Sequence, residues 1–361
     1  MKKVRIIGAA LVAALWLGLA AFAWVKPADD VSSAERRPLE QFPTLSVETL
    51  LNGSFMADFE DYTLDQFPLR DAFRSVKAVF QKYALGQKDN NGIYVADGYA
   101  AKIEFPYDAA AIAHAISRFQ YVYDTYLEGS QVYMTVVPDK GYYLAADHGY
   151  PSMDYEALFA DMQAGMPWST YIDLTGLLSL ADYYRTDTHW RQENLLPVAQ
   201  AMAQTMGVTV GDFTERMLEE PFYGVYYGQA ALPMDPDELV LLESDWLADC
   251  TVYDHESGKE SKVYDMTKTS GDDLYEVYLS GPRSLLTIEN PQGQPGKELI
   301  IFRDSFGSSI TPLLIQDYER VTLVDIRYMN AAVLGNFIDF HGQDVLFLFS
   351  TLVLNNSETI K

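Results

Sequence analysis

The sequence predicts an α/β fold built on a mainly parallel sheet, because strand patterns and helix patterns alternate along much of the chain. Short apolar runs typical of buried strands are separated by segments in which apolar residues recur at helical spacing. The predicted elements are a helix at 109–127, a strand at 132–137, a helix at 154–164, an extended segment at 169–174, a helix at 194–206, a strand at 298–302, a helix at 310–318, a strand at 321–326, a helix at 331–338 and a strand at 345–349. Strands that alternate with helices form β-α-β units, so we expect helices to flank the sheet.

Other regions precede and interrupt this alternation. Residues 50–86 have helical spacing with a break near Pro68, and Asn91–Val95 and Tyr99–Ile103 form a predicted hairpin around an Asp-Gly turn. Between about 209 and 295 the chain is rich in tyrosines and turn residues. This composition favours a β-rich insertion or subdomain beside the α/β core.

The N-terminus carries a predicted membrane span. Positive charges at Lys2, Lys3 and Arg5 precede Ile6–Val25, a run of 20 residues without a charged side chain. A helix of that length rises about 30 Å, enough to cross the hydrocarbon core, and the preceding charges favour a cytoplasmic N-terminus. The Ala21–Ala23 triplet also resembles a signal-peptidase site, so a cleaved signal peptide is the alternative interpretation. Both interpretations export the rest of the chain.

We therefore expect a signal anchor at 1–26, a polar stalk at 27–45 and an α/β domain at 46–361 that includes the insertion. The predicted location is a bacterial cell membrane, with a single span and the domain outside the cytoplasm.

Charge and cysteine content exclude several classes of function. The net charge of −25 repels phosphate backbones and so argues against nucleic acid as a partner. Cys250 is the only cysteine, which excludes an intrachain disulfide and a cysteine-based metal cluster. A chain of 361 residues can bury a core large enough to be stable without either.

One of the five histidines stands in a pattern that indicates catalysis. Asp187 lies two residues before His189, and side chains at i and i+2 of an extended chain point the same way. The carboxylate can then accept the Nδ1 hydrogen of the imidazole and leave Nε2 as a base. A metal site built on Asp187 and His189 is a weaker alternative, because no second histidine-rich segment completes the ligand set. We expect neither a metal nor a cofactor.

A serine follows the predicted strand at 298–302, where the next helix begins. Open α/β sheets present their sites at the carboxyl ends of strands, so Ser305 is a candidate nucleophile. The N–H groups of Phe306 and Gly307, at the start of that helix, are candidates for an oxyanion hole. Capping of the helix is the alternative role for such a serine, but the presence of the Asp187–His189 pair favours catalysis.

Several further side chains are candidates for substrate contact. Arg303 precedes Asp304-Ser305, and Arg327 comes just after a predicted strand. Tyr227, with its neighbours Tyr223 and Tyr226, either stacks on a sugar or packs across strands of the insertion.

Motifs along the exported chain resemble those of the DHHW proteins and, more distantly, the alginate O-acetyltransferase group of SGNH-hydrolase-like enzymes. The segments that carry the resemblance are Phe59–Tyr62, Phe67–Asp71, Asn91–Tyr94, Asp97–Tyr99, Val136–Lys140, Thr186–Trp190 and Asp304–Phe306. The resemblance implies an SGNH-hydrolase-like sheet with a rearranged motif order, in which the nucleophile segment follows the D-x-H segment. It also adds Lys140, at the end of a strand motif, to the candidate site.

The sequence departs from this pattern at two positions. The motif that gives the DHHW proteins their name is Asp-His-His-Trp, and here Thr188 replaces its first histidine, which leaves Asp187 and His189 intact. Arg303 stands where the esterase relatives usually have glycine. The chain also lacks room for the separate carbohydrate-binding domain of some alginate enzymes. By resemblance, a partner of the membrane-bound O-acyltransferase type would deliver acetyl groups across the membrane, and a polysaccharide would accept them.

These inferences predict an extracytoplasmic O-acetyltransferase that works by ping-pong acyl transfer through an acyl-serine. An acetyl esterase with the same triad, and a non-catalytic glycan-binding or assembly protein, are the alternatives.

Overall fold

The computed structural model describes residues 2–361, which divide into two compact units. The N-terminal unit comprises the residues up to Asn91 together with Tyr227–Pro233, and the sheet unit comprises Gly92–Tyr226 and Met234–Lys361. The predicted division into anchor, stalk and domain stays a prediction. Among the described residues, one helix is long and apolar enough to cross a membrane, and it covers Lys3–Val25.

The helices and strands have the following bounds. The α-helices are α1 (Lys2–Val25), α2 (Val47–Leu51), α3 (Ser54–Asp65), α4 (Arg70–Tyr83), α5 (Ala109–Tyr126), α6 (Lys140–Leu144), α7 (Tyr155–Gly165), α8 (Leu196–Met206), α9 (Val225–Ala230), α10 (Asp245–Asp249), α11 (Gly307–Ile310) and α12 (Thr351–Leu354). The strands are β1 (Val31–Ser32), β2 (Arg37–Pro38), β3 (Asp89–Asn90), β4 (Ile93–Ala96), β5 (Tyr99–Lys102), β6 (Gln131–Val137), β7 (Thr170–Tyr171), β8 (Thr214–Met217), β9 (Val240–Glu243), β10 (Thr251–Asp254), β11 (Lys259–Ser261), β12 (Leu285–Glu289), β13 (Gln294–Arg303), β14 (Tyr318–Val324) and β15 (Asp344–Ser350). Short 3-10 helices cover Leu180–Asp182, Gln192–Asn194, Met266–Ser270, Leu274–Val277, Thr311–Leu313, Ala331–Asn336 and Ser357–Thr359.

The sheet unit is organised around eight strands in the order β11-β10-β12-β14-β13-β15-β6-β7. The five strands from β14 to β7 are parallel, while β12, β10 and β11 extend one edge in antiparallel register. The mainly parallel α/β fold predicted from the sequence is therefore confirmed. The tyrosine-rich region supplies β10, β11 and β12, so part of it continues the central sheet.

The parallel strands are apolar on both faces because helices cover both sides of the sheet. In β13, Leu299 and Ile301 belong to one buried cluster, while the alternate residues Ile300 and Phe302 belong to the other. This period of two is the geometry of an extended chain, and strands buried on both faces need apolar residues at every position. Helix α8 packs in the first cluster, and helices α5 and α7 pack in the second.

Two predicted helices are shorter than the sequence pattern indicated. The segment at 310–318 contains the end of α11 and a 3-10 turn at Thr311–Leu313, and the segment at 331–338 contains a 3-10 helix at Ala331–Asn336. Pro312 lacks the N–H that an α-helix interior requires, which accounts for the first interruption. The predicted strands on either side of these two segments are present as β13, β14 and β15.

Parallel pairing brings the carboxyl ends of β6, β13, β14 and β15 to the same edge of the sheet. The chain leaves these ends through Asp139-Lys140, Asp304-Ser305, Asp325 and Ser350-Thr351. Open α/β sheets place their sites at this edge.

Candidate active site

Ser305 is held at the corner between β13 and α11 by the buried carboxylate of Asp304. One oxygen of Asp304 accepts from the Phe306 N–H at 3.0 Å, and the other accepts from the N–H and hydroxyl of Ser350, both at 2.7 Å. Because Ser350 ends the neighbouring strand β15, these bonds tie the corner to the sheet. Ser305 itself is partly exposed, so its hydroxyl is accessible.

The Asp187–His189 segment is a tight loop whose ends are bridged. The Tyr184 N–H donates to the His189 carbonyl at 3.1 Å, and Tyr183 pairs with Trp190. Within the loop, Asp187 Oδ1 accepts from the His189 N–H at 3.0 Å and lies 2.5 Å from His189 Nδ1. The second carboxylate oxygen accepts from the Val225 N–H at 2.9 Å. These bonds fix the orientation of the imidazole ring.

The structure brings this loop to Ser305 across more than a hundred residues of sequence. His189 Nε2 lies 2.8 Å from Ser305 Oγ, and the Asp187 side chain is fully buried on the other side of the ring. A serine, an imidazole and a carboxylate in this series are the groups that a serine nucleophile needs for activation.

Tyr275 is a part of the site that sequence reasoning missed. Its ring stacks on His189 with centroids 3.8 Å apart and planes 6° apart. Its hydroxyl donates to Ser309 Oγ at 2.9 Å and to the Ser305 carbonyl at 3.3 Å. Burial raises the pKa of this phenol well above its ordinary value, so the hydroxyl stays protonated and acts as a donor. Tyr275 comes from the tyrosine-rich region and belongs to no recognisable motif.

Two residues that follow His189 connect the loop to the serine corner and were also missed. The Trp190 indole N–H donates to the Phe306 carbonyl at 3.1 Å and to Ser309 Oγ at 2.9 Å. The Gln192 amide donates to the Ser309 carbonyl at 2.8 Å. Trp190 stands in the namesake motif, which was a signal for its importance, whereas Gln192 had none.

A carboxylate from the tyrosine-rich region supports the start of the loop. One oxygen of Asp237 accepts from the N–H of Thr186 at 2.7 Å and from its hydroxyl at 2.6 Å, and the other accepts from the Arg185 N–H at 2.9 Å. Gly224 lies so close that a Cβ at that position would be 2.2 Å from Asp187 Cβ. Glycine is therefore required there by the close approach of two backbones.

The N–H groups of Phe306 and Gly307 were candidates for the oxyanion hole, but both are engaged in the corner itself. Phe306 donates to the Asp304 side chain and Gly307 to the Asp304 carbonyl at 3.1 Å. Among residues 2–361, no group accepts a hydrogen bond from the Ser305 N–H. That N–H is the backbone donor of this turn that remains for an oxyanion.

Arg303 is buried beneath the corner and does not extend into an open site. Its Nη1 donates to the Asp304 carbonyl at 3.3 Å and to Ser308 Oγ at 3.1 Å, whereas Nε and Nη2 find no acceptor within the described residues. Burial lowers the pKa of this guanidinium. A Cβ on Gly307 would lie 2.7 Å from Arg303 Cβ, so the arginine leaves room for glycine alone at that position.

The remaining sequence candidates have partners other than the triad. Arg327 forms a two-point ion pair with Asp325, at 2.9 and 2.6 Å. Lys140 is fully buried and donates to the carbonyls of Tyr184 and Arg185, and desolvation lowers its pKa to about 7 against the pull of Asp187 and other carboxylates. Lys140 thus supports the chain that leads into the Asp187 loop. Tyr227 belongs to the N-terminal unit, where it lines an apolar cavity.

Histidine, cysteine, aspartate and glutamate side chains of residues 2–361 form no group of three or more that could hold a metal ion.

Comparison with known proteins identifies the fold. No family model matches the sequence, and no curated protein matches it. A DHHW family protein from Eubacterium siraeum shares 23% identity with this chain, at a TM-score of 0.58, over 75% of this chain and 95% of that one. PatB1 of Bacillus cereus with a sulfonyl adduct shares 17% identity, at a TM-score of 0.58, over 73% of this chain and 95% of that one. A second PatB1 structure, at a TM-score of 0.57, covers 74% of this chain.

Proposed function

The fold is that of a DHHW family protein and of PatB1, and on this fold we propose that the chain is a serine-dependent O-acyltransferase. The observation that carries the proposal is the 2.8 Å separation of Ser305 Oγ and His189 Nε2, with Asp187 against Nδ1. In this proposal Ser305 is the nucleophile, His189 the general base and acid, and Asp187 the group that orients the ring and stabilises its charged form.

The reaction proceeds in two halves. Ser305 Oγ attacks the carbonyl carbon of the acyl donor while His189 Nε2 takes the hydroxyl proton. The tetrahedral intermediate collapses to an acyl-serine, and His189 returns the proton to the oxygen of the leaving group. A hydroxyl of the acceptor then attacks the acyl-serine, His189 removes its proton, and Ser305 is regenerated as that proton is returned.

The other residues of the site serve this cycle by position. The Ser305 N–H is available to the developing oxyanion, because no described group accepts from it. The two following N–H groups are held by Asp304. Stacking on Tyr275 keeps the imidazole in the plane that joins Ser305 to Asp187. Both groups are already in position when charge develops on the oxyanion and on the imidazole, so less rearrangement of the site is required.

The acyl group and acceptor are proposed from the family resemblance. The resemblance to the alginate O-acetyltransferase group supports acetyl as the acyl group and an exported or cell-surface polysaccharide as the acceptor. The sulfonyl adduct in PatB1 supports covalent chemistry on this fold, since activated nucleophiles form such adducts. A membrane-bound O-acyltransferase partner is proposed as the source of acetyl groups.

Acceptor competition tests transfer against hydrolysis. The purified full-length protein is given a chromogenic acetate ester with and without an oligosaccharide acceptor, and the products are analysed by mass spectrometry. We expect acetylated oligosaccharide at the expense of free acetate. Free acetate alone would identify an esterase, and turnover no faster than in buffer would favour a non-catalytic glycan-binding or assembly role.

We further propose that the chain stays anchored by α1 with the sheet unit outside the cytoplasm. The apolar part of the helix has a mean hydropathy of 2.3, and basic residues precede the uncharged run. Alkaline carbonate extraction of native membranes should leave the protein in the pellet. A soluble product that begins near Trp24 would indicate a cleaved signal peptide.

A further inference from the structure

Helix α4 presents an apolar stripe to solvent in the N-terminal unit. The stripe consists of Phe73, Val76, Phe80 and Tyr83, which recur at helical spacing and are 42%, 67%, 58% and 73% exposed. The one fully buried residue of the helix, Ala78, lies on the opposite side. A helix with its apolar face outward has the pattern of an interfacial helix, and exposed apolar patches mark binding surfaces.

The α4 stripe is connected to the predicted membrane span by contacts between aromatic rings. Phe73 contacts Phe67 with ring centroids 5.6 Å apart, and Phe67 contacts Trp16 of α1 at 6.3 Å. Trp16 lies within the apolar run, nine residues before the end of α1 at Val25. The stripe therefore begins one side chain away from a residue that would lie inside the membrane.

Helix α3 also packs along the last turns of α1. Ala20, Ala23 and Trp24 of α1 line a small cavity together with Tyr62 and Phe67. Just beyond the helix, Asp29 and Gln66 exchange two hydrogen bonds, one at 2.8 Å and one at 2.9 Å. The segment that follows α1 is thus held against the residue that follows α3.

Three arginines of the N-terminal unit are paired with two of its carboxylates. Arg70 and Arg74 both pair with Glu35, and Arg37 and Arg70 pair with Asp65. Paired charges are tolerated near the membrane far better than isolated ones. The aromatic rings of Trp24 and Tyr62, which line the cavity at the end of α1, are of the type that favours the membrane interface.

We propose that α4 lies in the outer leaflet of the membrane that α1 crosses, with the α4 stripe facing the lipids. The occupant of the exposed face is lipid, because the stripe continues from a surface that already contacts the span. This inference rests on the retention of α1 and goes beyond the proposed chemistry at Ser305, on which it does not depend.

Depth-dependent quenching in lipid nanodiscs tests the proposal on the full-length protein. Single cysteines are introduced by Phe80→Cys on the stripe and by Asp71→Cys elsewhere on α4, where the side chain is 61% exposed. Tyr121→Cys, on the sheet unit, gives an exposed control, and Leu17→Cys, in α1, gives a control inside the membrane. Each cysteine receives an environment-sensitive fluorophore. The native Cys250 is buried with a thiol pKa raised to about 12 by desolvation, so the wild-type protein reports background labelling.

Nitroxide lipids should reduce the fluorescence at Phe80→Cys about twofold or more, as at Leu17→Cys, while the labels at Asp71→Cys and Tyr121→Cys stay nearly unquenched. All four sites are exposed, so the substitutions leave the fold intact. If the Phe80→Cys label behaves like the two exposed controls in discs of lipid alone, the stripe does not bind lipid and the proposal is wrong. A second copy of the chain or a protein partner would then be the candidate occupant.

Discussion

The two units of this protein distribute their apolar side chains in opposite ways. In the sheet unit, the strands β13 and β15 bury nearly every apolar residue between two helical layers. In the N-terminal unit, α2 and α4 leave large apolar side chains in contact with solvent, and α1 has no buried residue in its apolar window. Periodicity in the sequence identifies the apolar face of a helix in both units, but it does not specify whether protein or lipid will cover that face.

The largest expected effect is on catalytic turnover, without a matching loss of stability in the sheet unit. Ser305→Ala should reduce acetate-ester turnover about 10³-fold or more, because the nucleophile is lost. The melting temperature should stay nearly unchanged, since Ser305 is partly exposed and its loss creates no core cavity. Turnover and thermal unfolding are measured on the same preparation, and retained turnover would eliminate Ser305 as the nucleophile.

A matched pair of phenylalanine substitutions compares the two units directly. Phe302→Ala removes a fully buried ring that stacks on Phe347 at 4.8 Å, and should lower the free energy of unfolding by about 3–5 kcal/mol. Phe80→Ala, at a residue that is 58% exposed, should change it by less than about 0.5 kcal/mol in detergent. Denaturant unfolding of both variants gives these values, and a large loss for Phe80→Ala would show that the stripe packs against protein.

A buried cation of the sheet unit offers a further test. Lys140 has a pKa of about 7 in the folded protein and an ordinary value near 10.5 when unfolded. Between these values the unfolded chain binds a proton that the folded chain has released, so the contribution of Lys140 makes stability rise with pH. Lys140→Met should weaken that rise from pH 7 to 10, whereas the exposed control Lys77→Met should not.

Melting temperatures at several pH values test this prediction. Equal pH dependence in wild type and Lys140→Met would show that Lys140 is ordinarily charged in the folded state.

The sequence predicted the parts of this fold that follow from local pattern. Apolar runs such as Val345–Phe349 and Val132–Val137 are buried on both faces, and this pattern is what located the parallel strands. The position of Ser305 at the carboxyl edge of the sheet was predicted because the serine follows the apolar run at 298–302.

The supporting residues of the site could not be predicted in this way. Tyr275 and Gly224 lie against the candidate triad, and Asp237 binds the residues just before it. All three are placed there by the path of the tyrosine-rich region, which no local pattern fixes. The engagement of the Phe306 N–H by Asp304 depends on the conformation of a single turn, which periodicity does not specify.

Covalent labelling tests the central claim most directly, since an activated serine reacts with a fluorophosphonate and an ordinary N-capping serine does not. The wild-type protein, Ser305→Ala and Asp187→Asn are treated with the probe, and the modified peptide is identified by mass spectrometry. We expect one adduct, on Ser305, that is absent from Ser305→Ala and forms about 10²-fold more slowly in Asp187→Asn. An unlabelled wild-type protein, or an adduct that persists in Ser305→Ala, would contradict the assignment of Ser305, His189 and Asp187 as a catalytic triad.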